Sequence, residues 1–167
     1  SMHLLARGFA LVTALLGVVL LTACATGPSI TREGPAVDAP TYRVGDRWTY
    51  KAQDGFRLPV IWDEVHEVTA IGPNGITIRV TQRGPTVNNE RFEELITPGV
   101  VRKGAVFDAE TRIFDPYLTR YAFPLKPGDS WRGFVANTHQ PPQPPGPFSQ
   151  SISHWVDVQG WGTVTTP

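Results

Sequence analysis

Beyond residue 41, apolar and polar side chains alternate with a period of two rather than three to four. The clearest stretch is "ITIRVTQR", where Ile76, Ile78 and Val80 alternate with Thr77, Arg79 and Thr81. Alternation over a β-branched run places one row of side chains in a core and the other in water, as in a half-buried antiparallel strand. "GPNG" (Gly72–Gly75) immediately precedes it and predicts a tight hairpin turn back to a strand over Val65–Ile71. Similar patterning predicts strands at Arg47–Lys51, Arg91–Ile96, Val100–Lys103, Thr111–Phe114, Thr119–Pro124, Trp131–Thr138 and Ser151–Val158. Arg91–Leu95 is the one place where a single helical turn competes. The expected class is all-β, as an antiparallel sheet.

Two segments echo each other 83 residues apart, "YRVGDRWTYK" at Tyr42–Lys51 and "PLKPGDSWRGF" at Pro124–Phe134. In both, Gly-Asp supplies a turn: glycine tolerates positive φ, and aspartate can bond nearby backbone. The following tryptophan, Trp48 or Trp131, then opens a strand and can roll its indole over the end of the core. The repetition predicts either two similar β-layers, a sandwich, or one strand-entry device used twice in a curved sheet.

The first 25 residues follow different rules. A weakly basic start (His3, Arg7) leads into an uncharged, mostly apolar run from Gly8 to Ala25, which contains Leu21-Thr22-Ala23-Cys24. This arrangement resembles a bacterial lipoprotein signal, in which Cys24 is acylated (palmitate among its lipids) and becomes the mature N-terminus. An uncleaved segment of that length also reaches the short end of what spans a bilayer as a helix, roughly 17–25 residues. Residues 1–25 are therefore expected to be a lipoprotein signal peptide or membrane anchor. Residues 26–40, "TGPSITREGPAVDAP", are rich in Pro, Gly and small polar residues and predict a flexible linker. Residues 41–167 then form the β domain.

Cys24 is the only cysteine, so a domain exported to an oxidising compartment has no intrachain disulfide and depends on its core. The chain carries 15 basic and 15 acidic residues; loss of residues 1–23 removes Arg7 and leaves 14 against 15, a net charge of −1. Near-neutrality excludes the basic face that nucleic acid requires. It also excludes a polybasic membrane patch, leaving the lipid or the helix as the tether. "QPPQPPGPF" (Gln140–Phe148), with five prolines, predicts a stiff extended loop between two strands.

Candidate chemistry is sparse. In "DEVHE" (Asp63–Glu67), alternation sets Asp63, Val65 and Glu67 on one face and Glu64 with His66 on the other. A carboxylate and an imidazole two residues apart would need His139 or His154 to complete a metal site, and no ligand pair stands at diagnostic spacing. The segment is expected to be a solvated strand, with no metal or other cofactor. Ser130 in "GDSWR" lacks a nucleophile elbow, and Asp129, Ser130 and His139 are the only nearby set of triad-like residues. His154 in "SISHWVDV" shares a face with Ile152, Val156 and Val158, which predicts a core histidine with satisfied hydrogen bonds; lining a pocket or sensing pH is its alternative role.

Together, "YRVGDRWTY", "FPLKPGDSW" and the closing "VQGWGTVTTP" resemble a loose group of exported bacterial β-rich lipoproteins of unknown function. That resemblance implies a curved antiparallel sheet or open half-barrel and carries over no catalytic residues. The chain departs from the group's pattern at Gly162, where a glutamate is usual, and stops at Pro167, where the pattern turns into its final strands. An unfinished edge over residues 160–167 is expected, completed by further strands or by a partner.

The expected function is non-enzymatic: a membrane-anchored lipoprotein on the periplasmic face whose β domain binds a protein partner or an apolar ligand. Trp48, Trp131, His154 and Trp155 are the candidate contact residues. Ala25 directly after Cys24, in place of an aspartate, resembles the outer-membrane sorting arrangement of Gram-negative lipoproteins rather than the inner-membrane one. The alternative is an accessory structural subunit of a membrane protein complex, its N-terminal helix or lipid packed against other subunits.

Overall fold

A computed structural model describes residues 29–56, 60–105, 110–140 and 149–164. The leader with Cys24, and the prolines of residues 141–148, lie outside the described residues. Two compact units divide the chain. In the smaller, Thr31 and Trp161 exchange a pair of backbone hydrogen bonds, each 2.8 Å. The larger, Arg32–Gly160, holds the sheet.

That sheet has eight antiparallel strands in sequence order: β1 (Arg47–Gln53), β2 (Ile61–Gly72), β3 (Gly75–Arg83), β4 (Asn88–Thr97), β5 (Val100–Gly104), β6 (Thr111–Thr119), β7 (Ser130–Gln140) and β8 (Ser149–Asp157). Each strand pairs with its sequence neighbours, so the topology is a simple meander, and it is one sheet rather than a sandwich of two. The β2–β3 hairpin closes through Pro73 and Asn74, where the Gly72–Gly75 motif predicts it. Arg91–Leu95 lies within strand β4 rather than a helical turn.

One expected strand is absent. The separate strands at Thr111–Phe114 and Thr119–Pro124 are instead a single β6 ending at Thr119. Pro116 explains the change of partner within it. Proline has no N–H to give a ladder, and pairing with β7 stops at Asp115↔Ala136. Beyond it, Leu118 and Thr119 pair only with β5, and the carbonyl of Thr119 accepts instead from Trp131 Nε1 at 3.1 Å. Trp131 is thus a structural plug over the end of this ladder.

Register places the buried side chains on one face. Val68, Ile78, Val80, Leu95, Val101, Phe114, Leu118 and Val135 form a single cluster. Trp48 from β1 and Ile152 from β8, on the two outermost strands, both pack against it. Each buried Val, Leu or Ile contributes about 1.5–3 kcal/mol, so this one face supplies the disulfide-free stability the composition demands.

The echoed Gly-Asp segments are one device at the backbone level. Gly45 (φ 96°) and Gly128 (φ 91°) both take the left-handed conformation that glycine tolerates without strain. In the first copy Gly45 N–H donates to the Val68 carbonyl, Val68 N–H donates to that of Asp46, and Asp46 N–H closes the turn on Arg43. In the second, Gly128 N–H donates to Val158, Val158 N–H to Asp129, and Asp129 N–H to Lys126. Each turn therefore staples the start of one strand to its hairpin partner, β1 to β2 at Val68 and β7 to the end of β8 at Val158.

Candidate functional site

Two surfaces on the sheet concentrate polar chemistry or exposed aromatic area. The first is on the core face of β1–β4. Residues directly opposite in an antiparallel pair share a face. The registers Trp48↔His66, Tyr50↔Glu64, Glu64↔Gln82, Gln82↔Asn89 and Ile78↔Glu93 therefore bring charged and aromatic side chains together beside Val68 and Val80. Glu64 is the hub. It accepts from Gln82 Nε2 at 2.6 Å and Trp62 Nε1 at 3.3 Å, and its Oε1 lies 2.7 Å from His66 Nε2. The bond to His66 is the main cause that holds its carboxyl down to about 2; partial burial opposes this, and the bonds from Gln82 and Trp62 add to it.

Aromatic rings fix the imidazole from the other side. His66 stacks on Trp48 at 5.5 Å, Trp48 stacks on Tyr42 at 5.8 Å, and Tyr50 meets His66 edge-on at 5.4 Å. Burial raises the Tyr42 phenol above its ordinary value, and the nearby Tyr121 adds to this. Two strands away, Arg120 Nη1 donates to Glu93 Oε2 at 3.1 Å. Arg91 lies between the two carboxylates, its Nη2 3.7 Å from Glu64 and 3.9 Å from Glu93. Two carboxylates and two guanidiniums balance in charge, and Glu64 and Glu93 are each held by hydrogen bonds within the cluster. It is chemically a charge-balanced polar core that positions β1 on β2, although Nε and Nη1 of Arg91 are buried without a hydrogen-bond partner among the described residues. Among the described residues no three His, Cys, Asp or Glu side chains are placed to hold a metal ion.

The second surface is an open groove on β7 and β8, about 650 Å³ in volume and lined by Arg132, Gly133, Phe134, Ser153, His154 and Trp155. The register pairs Arg132 with Trp155 and Phe134 with Ser153, so alternation directs these four away from the core face. Phe134 is 66 % exposed and Trp155 71 %. Between them Gly133 sits opposite His154, whose ring lies so close that a Cβ at 133 would overlap its Cε1. The expectation of a hydrogen-bonded core histidine is corrected here. Both ring nitrogens of His154 are buried without a partner among the described residues, and the ring is held by its fit over Gly133.

Of the residues singled out from sequence, His154 and Trp155 meet in this groove, whereas Trp48 belongs to the aromatic stack and Trp131 caps Thr119. Arg132 and Phe134 escaped notice because only the β7–β8 register carries them there. Glu64 and His66 are not the solvated pair expected: their side chains are 17 % and 14 % exposed. Ser130 and His139 stand at opposite ends of β7, roughly 30 Å apart at about 3.3 Å per residue, too far for one triad. Compared with protein families, with curated proteins and with solved structures, the chain finds no match in any of the three.

Proposed function

We propose that this is a non-catalytic, membrane-anchored lipoprotein on the periplasmic face of a bacterial envelope, tethered through acylated Cys24. In this reading the sheet curls into an open half-barrel around its single core cluster, and the β7–β8 groove binds a protein partner or an apolar ligand. The observation that carries the reading is the pair of large aromatic side chains, Phe134 and Trp155, left 66 % and 71 % exposed beside Arg132 around one groove. Aromatic residues and arginine are the types enriched where binding energy concentrates, and an isolated fold has no reason to cluster them in water.

The test has two arms, both in membranes of the host. Cys24→Ser should shift the intact mass by loss of the lipid and release the domain from the membrane. A photo-reactive phenylalanine at Trp155 should give a discrete adduct, and the same probe at Thr49, an exposed position on β1, should give none. Unchanged mass and retention in the first arm sink the tether; equal labelling at both positions, or none at Trp155, sinks the groove.

A further inference from the structure

The open sheet ends in two edge strands that are built differently. Among the described residues β1 pairs only with β2, and β8 only with β7. An uncovered edge is a row of free N–H and C=O groups, and folded proteins blunt such rows with charge, proline or bulges. Strand β1 is blunted: Arg47 and Lys51 stand along it. Strand β8, "SQSISHWVD", has no proline, lysine or arginine, its one formal charge is the terminal Asp157, and no bulge interrupts its register with β7.

Which backbone groups are free follows from the bonds at the end of the strand. Val158 exchanges hydrogen bonds with the Gly128–Asp129 turn, on the β7 side. Antiparallel strands direct alternate residues to alternate neighbours. Val156, His154, Ile152 and Gln150 therefore also bond toward β7, and Ser151, Ser153, Trp155 and Asp157 direct their N–H and C=O groups to the open edge. These are the same side chains that alternation sets on the outward face: small hydroxyls at one end and a large exposed indole at the other.

We infer that β8 pairs antiparallel with β8 of a second copy, in the register centred on Ser153, to make one sheet continuous through a two-fold axis. Such an interface is isologous, so the strand must complement its own reverse. It does. Ser153 falls opposite itself, Ser151 opposite Trp155 of the second copy, and Ser149 opposite Asp157. On the core face Ile152 meets His154, and Gln150 meets Val156. The largest residue, Trp155, meets a serine, Asp157 meets no acid, and no like charges oppose each other. All the free backbone groups fall opposite free groups of the same kind of pair. A formal net charge of zero for the whole chain adds no long-range repulsion between copies. Ser153 and Trp155 line the groove as well as this edge, so in the cross-linking test above an adduct of twice the chain mass reports the second copy, and an adduct of any other mass reports a different occupant of the groove.

The test uses the full-length chain in detergent micelles, with mass followed by sedimentation velocity over a concentration series. The parent should associate to a dimer. Ser153 is exposed and its N–H is not used by β7, so Ser153→Lys and Ser153→Glu should leave the far-ultraviolet circular dichroism of the sheet unchanged. Each alone places like charges face to face across the axis and should weaken the dimer by about tenfold or more. Mixing the two variants should restore dimer as the heterodimer, a result that misfolding or leader-driven micelle association would not produce. A parent that stays monomeric at every concentration overturns the inference, as does a Ser153→Lys variant that dimerises as tightly as the parent. Failure of the mixture to recover would also overturn it.

Discussion

Replacing Glu64 by glutamine removes one charge from the hub of the core-face cluster while keeping its size and one acceptor oxygen. The difference between an ordinary carboxyl of 4.5 and one held to about 2 amounts to ~3 kcal/mol of stability at neutral pH. The side chain is only 17 % exposed, so solvent screening removes little of this. Glutamine can still accept from Gln82 or Trp62, which returns part of the loss. The expected cost of Glu64→Gln is therefore about 2 kcal/mol. For a small two-state domain with a urea slope of ~1–3 kcal/mol per molar, that lowers the unfolding midpoint by about 1 M.

The sign with pH separates this cause from simple loss of packing. A depressed carboxyl stabilises the folded state above its unfolded value near 4.5, and that contribution disappears as pH falls through about 2. Urea titrations followed by tryptophan fluorescence should thus give a wild-type advantage that is constant from about pH 6 to pH 8. It should narrow progressively below pH 4.5 and nearly close by pH 2. An advantage of the same size at pH 2.5 as at pH 7 would refute the assignment, because the charge on Glu64 would then not be its source.

Three further outcomes follow from particular contacts. Gly133→Ala forces a methyl into the His154 ring and should cost about 1–3 kcal/mol in thermal unfolding, most of it recovered in the double variant with His154→Ala. Asp46→Ala removes the acceptor that holds Arg43 N–H at 2.8 Å, and should cost about 1 kcal/mol by chemical denaturation. Trp155→Ala, at a side chain already 71 % exposed, should change the unfolding free energy by no more than about 0.5 kcal/mol while abolishing the adduct trapped by a photo-reactive residue placed at Phe134.

Local alternation carried the strands and failed where a long-range partner decides the outcome. "ITIRVTQR" gives β3 directly because one strand contains its own apolar row. "DEVHE" gives the right faces for Glu64 and His66 but the wrong environment. Charged residues are rarely buried unless paired; His66 and Trp62 are local partners, but the groups that complete the cluster come from elsewhere: Gln82 on β3, Arg91 on β4 and Trp48 on β1. No window around residue 64 contains these last three. The same applies to His154, whose counterpart Gly133 lies 21 residues earlier in the chain, and to Thr119, whose carbonyl is satisfied by an indole rather than by a continuing strand.

The groove sharpens the point about register. His154 and Trp155 are adjacent in sequence and conspicuous on composition alone, yet neither makes a groove without Arg132 and Phe134 opposite. Sliding β8 by one residue against β7 would exchange its faces, burying Trp155 and exposing Val156. What prevents the slip is the second Gly-Asp staple, where Gly128 and Asp129 hold Val158 at the end of the pair. The fit of His154 over Gly133 reinforces it, since any other residue at 133 would meet the ring. The repeated motif therefore reaches function through geometry: its Gly-Asp turn touches nothing in the groove, but it locks the register that brings Arg132 and Phe134, at the end of the same segment, to one surface with Trp155. Weakening the staple should scatter that surface before it unfolds the sheet, because among the described residues these two strands give the core only the buried Val135 and the partly buried Ile152 packed against it.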